Sequence, residues 1–337
     1  MEGEYYRRVQ LVGGSTYVVA LPKEWAVSHG ITRGSRVRLV VLPSGQLLVE
    51  PAPSQPGGRG GRAGASVEYR PGDYSGSLRR VVSHYVAGAE VVEIHYPPEA
   101  AGEAERLVGQ LRNILLGVEV LEAEPGLYRL YAVLDDYSVG FWDAYSKMRR
   151  AVVGMMESLE AAVEAGDSGM AGEVAGRDDI VDRLYLYLVR QLTKSLLHGT
   201  AYATIGLTAA EAPHVFLAIK SLERIGDHTT ILSSIASRGA HKLKPLLPQM
   251  RGLRGLVSHA TRLLQNPNLE EANTRANEAS RLARELRRAR DTHAHNPPLS
   301  HAALSLARIA NYAQDILEAS IDIQTIRRSS NHATPNP

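Results

Sequence analysis

The sequence predicts three parts of different class: a small β-rich unit at 1–52, a small α/β sandwich at 66–136, and an all-α bundle of two three-helix repeats at 137–328. A linker at 53–65 and a tail at 329–337 complete the division. Three observations predict it. "PAPSQPGGRGGRAGA", residues 51–65, is dense in Pro and Gly and lacks apolar periodicity, which marks a linker. Strand and helix signals alternate over 66–135, as an α/β sandwich requires. From Tyr137 onward the strand signal stops and apolar residues recur at helical spacing.

In the first unit, "YYRRVQLVGGSTYVVALP" reads as strand, Gly-Gly turn, strand. "PKEWAVSHG" opens on Pro and ends on Gly, so it is a short helix. "SRVRLVVLPSGQLLVEP" is a second hairpin turning at Pro43-Ser44-Gly45. A ββαββ unit of about fifty residues buries little surface alone, so a dimer is expected. In the second part "VEYR", "EVVEIHYP", "GVEVLEAE" and "LYRLYAVLD" read as strands. "SGSLRRVVSHYVAG" and "PEAAGEAERLVGQLRNILLG" read as helices, and no phosphate loop, nucleophile elbow or ligand cluster accompanies them.

The bundle's first helix carries Phe141, Tyr145, Met148, Val152, Met155, Leu159 and Val163 on one face. Further helices are predicted at about 169–199, 213–238, 244–265, 269–291 and 299–327. Pro245, Pro267 and Pro297-Pro298 fall at helix starts, where proline is tolerated.

Composition narrows the classes. The chain has 337 residues, 44% of them apolar and none cysteine, which excludes disulfides, thiolate metal sites and thiol nucleophiles. No run approaches a membrane span, and "MEGEYYRRVQ" has no apolar signal core, so a soluble cytoplasmic protein is expected. Net charge is only +2, but residues 1–65 hold eight Lys/Arg against four acids, a balance of +4 that leaves −2 for the rest. That asymmetry fits either an anionic partner or a solvated basic surface.

The third and sixth helices show an internal repeat: "SLERIGDHTTIL" from Ser221 aligns with "SLARIANYAQDI" from Ser305. "DDIVDRL" at 178–184 aligns more weakly with "ANEASRL" at 276–282. Apolar and arginine positions recur, but the acids do not. Glu223 faces Ala307, Asp227 faces Asn311, Asp178 faces Ala276 and Asp182 faces Ser280. Each pair sits four apart on one helix face, where like charges cost roughly 0.2–0.5 kcal/mol. Carboxylate oxygens are hard ligands for Mg, Mn, Fe or Zn, and a cation between the two helices would offset that repulsion. Glu173 and His228 are possible helpers. The competing reading is a solvated face in which Arg177, Arg183 and Arg224 pair the acids. A di-iron site needs more Glu-x-x-His motifs than Glu211–His214, which Pro213 interrupts at a helix start. "HAH" at 293–295 with His301 reads as loop surface, and an unrecognised metal hydrolase or oxidase has no local motif behind it.

"SLERIGDH" preceded by "DDIVDRL", within a duplicated three-helix bundle, resembles the PhoU family over about residues 137–328. The resemblance implies a regulator of phosphate uptake linked to a phosphate ABC transporter and to signalling partners. It also implies a metal site (Fe, Zn or Mg) on Asp178, Asp182, Glu223 and Asp227. The second repeat departs from the pattern, so one such site per chain is expected. "GGSTYVVALPKEW" and "GITRGSRV", within about 7–51, are similar to AbrB/SpoVT-like swapped-hairpin domains, in which two chains interlock into one β-barrel. The combination looks like archaeal phosphate-uptake regulators. It implies a homodimer whose basic residues contact DNA, with Arg7, Arg8, Arg33, Arg36 and Arg38 as candidates; Arg36 and Arg38 alternate along one strand. The other reading is an adaptor for the transporter or a sensor kinase, its barrel serving only to dimerise. Neither reading makes the chain an enzyme.

Overall fold

The computed structural model describes residues 4–41, 45–51, 64–133, 139–197 and 199–332. The expected turn residues Pro43 and Ser44, most of the linker, Tyr137 and the last five residues of the tail lie outside that set. The chain divides into two compact units, one N-terminal and one running from residue 61 to 332.

The N-terminal unit has the predicted ββαββ order: β1 (Gln10–Val12), β2 (Thr16–Val18), α1 (Lys23–Ser28), β3 (Val37–Val41) and β4 (Leu47–Pro51). Gly13 and Gly14 take φ of +61° and +76° between β1 and β2, which a two-strand reversal with left-handed residues needs. β1 pairs with β2 and β3 with β4, both antiparallel, in two separate two-stranded sheets. On β3 and β4, Leu39 opposes Val49 and Val41 opposes Leu47, giving one apolar face. Leu39 is 59% exposed and Val41 71%, and none of the described residues 4–51 is buried. Two-stranded hairpins are marginal in water without more strands or a packed face. This unit therefore carries an apolar surface with no core of its own beneath it.

The second unit begins with β5 (Gly64–Glu68), α2 (Tyr74–Val86), β6 (Val91–His95), α3 (Ala101–Ile114), β7 (Val118–Glu124) and β8 (Leu127–Ala132). The sheet order is β5-β6-β8-β7, with β5 parallel to β6 and the other pairs antiparallel. β5 starts at Gly64, inside the stretch read as linker from its composition. Gly64, Ala65 and Ser66 join the ladder opposite Val91, Val92 and Glu93, a tertiary pairing that overrides weak strand propensity. Val67, Val92, Ile94 and Leu130 pack with Leu107 and Leu111 into a core of its own.

The helices follow: α4 (Phe141–Ala165), α5 (Ser168–Glu173), α6 (Asp178–Leu197), α7 (Ala201–Ile205), α8 (Ala212–Ala236), α9 (Leu247–Gln265), α10 (Leu269–Thr292) and α11 (Pro297–His332). All seven residues of the predicted apolar stripe on α4 are buried. Two expected helices differ. The second breaks into α5, a 3-10 turn at Val174–Arg177, and α6. Gly172 and Gly176 weaken helix propensity there, and the break makes Asp178 the first residue of α6. The fourth starts at Leu247, because Pro245 falls in a preceding 3-10 segment and Pro248 takes the first turn.

The sheet part packs directly on α6. Arg190, 3% exposed, donates to Tyr85 O at 2.6 Å and Ala89 O at 2.9 Å, with its guanidinium 4.8 Å from the Tyr85 ring centre. Lys194 adds an ion pair to Glu90 at 3.4 Å. Residues 64–133 thus share one compact unit with the helices. Arg190→Ala leaves buried carbonyls unsatisfied and a void at the contact. It is expected to cost about 2–4 kcal/mol, read as a lower midpoint in chemical denaturation with circular dichroism.

Candidate metal centre and basic N-terminal surface

Two helices of the first repeat, α6 and α8, pack side by side at Gly226. A Cβ on Gly226 would stand 3.1 Å from Asp178 Oδ1 and 3.3 Å from Val181 Cγ1. Only the missing side chain lets the helices close at this point. Asp178 and Asp179 open α6, where the helix dipole favours negative charge. Asp182 follows one turn later, and Asp227 comes from α8. Asp178, Asp182 and Asp227 each offer an oxygen within 4.8 Å of the others'.

Glu223 lies one turn before Asp227 and is 8% exposed. Its Oε1 accepts from Lys220 Nζ at 2.6 Å, while Oε2 is buried without a hydrogen bond. Asp178 Oδ1 is likewise buried, with the Thr230 hydroxyl beside the carboxyl. Asp227 accepts from Arg224 Nη1 at 3.0 Å. Burial raises the Asp178 carboxyl above its ordinary range, with Asp227 and Glu223 adding to the effect. Burial, then the neighbouring carboxylates, pushes Asp182 up to about 6. Four acids face two cations here, so the site carries excess negative charge, and Arg224 Nε approaches Glu223 Oε2 only to 3.7 Å.

The other residues considered from sequence fall elsewhere. Of the three arginines that could have neutralised the acids, only Arg224 does; Arg177 donates to Ser158 at 2.7 Å, and Arg183 pairs with no acid. Glu173 ends α5, exposed and outside the three-aspartate group. The His228 ring lies 5.8 Å from that of Tyr312 on α11, and burial lowers its pKa. Glu211 accepts from Thr208 N and Oγ1 at 2.7 and 2.8 Å, and His214 pairs with Asp322 at 3.0 Å. In the second repeat, Ser280 donates to Gln314 at 2.8 Å and Asn311 accepts from Arg287 at 3.0 Å, while Ala307 is buried. Hydrogen bonds to amide oxygens there replace the acids. Among the described residues, the three aspartates form the one group of potential ligands close enough to share an ion.

Sequence reasoning missed Gly226 and Lys220. A glycine inside an otherwise strong helix was the available signal. Alanine there should gain about 1 kcal/mol of helix propensity. Because its Cβ meets Asp178 and Val181, Gly226→Ala is instead expected to give no rise in melting temperature and to weaken divalent-cation binding in calorimetry.

Of the basic candidates, Arg7, Arg8, Arg33, Arg36 and Arg38 are all exposed. Arg7 lies over the Tyr5 ring at 5.5 Å and donates to Tyr6 O. Arg38 opposes Glu50 across β3 and β4, with Nη1 to Oε2 at 3.7 Å. Arg36 precedes β3, which begins at Val37, so strand alternation does not set its direction relative to Arg38. The turn that Thr32 and Ser35 close by hydrogen bonds holds that stretch instead.

Residues 145–236 match the family described as the PhoU domain. Residues 10–56 match the family described as antidote-toxin recognition MazE, bacterial antitoxin. The first match spans nearly all of α4 through the end of α8, one three-helix repeat, and includes all four acids. The second includes all four strands of the N-terminal unit. The two matches cover separate parts of the chain, a PhoU domain over the first repeat and a MazE/AbrB-like domain at the N-terminus. A PhoU domain points to regulation of phosphate transport, and the N-terminal domain is compatible with DNA binding. No curated protein sequence matches the chain. No helix among the described residues is long and apolar enough to cross a membrane.

Proposed function

We propose that the protein is a dimeric, DNA-binding regulator of phosphate uptake whose PhoU domain holds a divalent or trivalent cation. The observation that carries the DNA half is the N-terminal unit itself. It exposes its arginines and a full apolar face together, with no core of its own. A second copy would cover the apolar face and double the basic charge presented to one duplex. Contacts from arginine to phosphate supply non-specific affinity and make it salt-dependent.

The cation half rests on the carboxylate set. Asp178, Asp182 and Asp227 would hold the ion, with Glu223 Oε2, which has no hydrogen bond, beside them. Oxygen-only donors suit Mg and Mn, and carboxylates also accept Fe and Zn. When bound, the cation supplies positive charge that ties α6 to α8. Gly226 sets the approach of the helices, and Lys220 and Arg224 hold Glu223 and Asp227 in place. The role we assign to the cation is regulatory.

The DNA half is tested by fluorescence anisotropy on duplexes from promoters of phosphate-uptake genes. Binding should weaken steeply as salt rises, and Arg36→Ala plus Arg38→Ala should weaken it and flatten the salt slope by about two. Absent or salt-independent binding would leave the adaptor reading, favoured by the engagement of Arg38 with Glu50.

A further inference from the structure

We infer that the cleft between the sheet part and the first repeat is a binding site for a small carboxylate with an apolar body. The cleft measures about 420 Å³ and is lined by Leu116, Val139, Lys147, Ile180, Arg183 and Leu184. Leu116 follows α3, Val139 precedes α4, Lys147 stands on α4, and the other three lie on two turns of α6. All of these belong to one compact unit. The volume falls within the usual range for small-molecule sites, roughly 300–1,000 Å³, which combine apolar walls with a few placed polar groups.

The polar groups decide the ligand's charge. Among the described residues, Lys147 and Arg183 are the only polar side chains on the wall, and both are cations. Neither has a hydrogen bond or ion pair, and Arg183 Nε is buried without a partner. An unsatisfied buried guanidinium donor is costly and uncommon. Arginine can only donate, so a ligand that meets it must offer an acceptor, and a carboxylate matches the guanidinium fork best. The four apolar residues would cover the ligand's hydrocarbon body, with Ile180, 53% exposed, on the open side. A bare oxyanion would satisfy the cations but leave this wall facing water.

The test uses the full chain with octanoate as probe, octan-1-ol as the uncharged control and inorganic phosphate as the control without an apolar body. Isothermal calorimetry should show octanoate binding at least about tenfold tighter than either control. Lys147→Ala plus Arg183→Ala should lower that affinity by at least about tenfold, because charge-assisted hydrogen bonds are the stronger kind. Methyl NMR on the unmodified chain, which needs no variant to fold, should show octanoate shifting the Leu116, Ile180 and Leu184 methyls. No octanoate binding, equal binding of octan-1-ol, tighter binding of phosphate, or shifts confined to other methyls would each overturn the inference. The readout is direct binding, so it stands or falls independently of DNA and of the aspartate site.

Discussion

Asp182→Asn is expected to stabilise the metal-free protein near neutral pH and to remove the stabilisation that a divalent cation gives. The sign follows from the carboxyl's environment. Its folded pKa is raised to about 6, above the ordinary aspartate value, so the folded state holds the proton more tightly than the unfolded chain. The favourable contribution is fully present below the unfolded pKa, near 4, and is lost as pH rises through the folded value near 6. Metal-free protein should therefore be more stable at about pH 5 than at about pH 7.5. A shift of two units corresponds to at most about 3 kcal/mol, and solvent at this half-buried site reduces it to roughly 1–2 kcal/mol. Asp178 is shifted in the same direction and adds to the trend. A bound cation reverses the balance, worth about 2.7 kcal/mol at a hundredfold excess over Kd. The asparagine variant should lose the larger part of the pH trend, keeping the part that Asp178 contributes, and should lose the cation response. Thermal unfolding with chelator, then with Mg, Mn or Zn, reads both; a wild-type chain indifferent to every cation would remove the metal site.

Leu39→Asp plus Val41→Asp is expected to convert a dimeric chain into a monomer and to abolish duplex binding with it. Both residues lie on the exposed apolar face of β3 and β4, away from Arg38. Burying each aliphatic side chain is worth about 1.5–3 kcal/mol, and a symmetric dimer counts each position twice. Aspartate forfeits that and buries an unpaired charge instead. A chain lacking residues 1–63 should be monomeric yet folded, since the sheet part and the bundle carry their own cores. Light scattering at micromolar concentration separates these cases. A dimer that survives the double substitution would place the contact elsewhere.

Much of this was legible before any coordinates. The apolar period from Phe141 to Val163 marked α4, because a long amphipathic helix repeats its signal over many turns. The ββαββ order showed in the turn residues. The acidic pairs stood out because the second repeat keeps Leu306, Arg308 and Ile309 while replacing Glu223 and Asp227 with Ala307 and Asn311. What escaped depends on contacts distant in sequence. Gly226 is informative only once Asp178 lies against it. Arg190 is a polar residue on a helix whose partners, Tyr85 and Ala89, lie about a hundred residues earlier. The start of β5, ahead of the expected strand at Val67, escaped because Gly64 and Ala65 have little strand character and are held by β6 alone. The split of the second helix is a balance between local glycines and the packing around them, and periodicity does not register it.

The central claim is that the chain acts on DNA in the service of phosphate uptake. Mapping the DNA it occupies across the genome, in phosphate-rich and phosphate-poor cells, tests this most directly. The account predicts enrichment at promoters of phosphate-uptake genes, changing between the two conditions and lost with Arg36→Ala plus Arg38→Ala. Occupancy no higher than background in both conditions would contradict it.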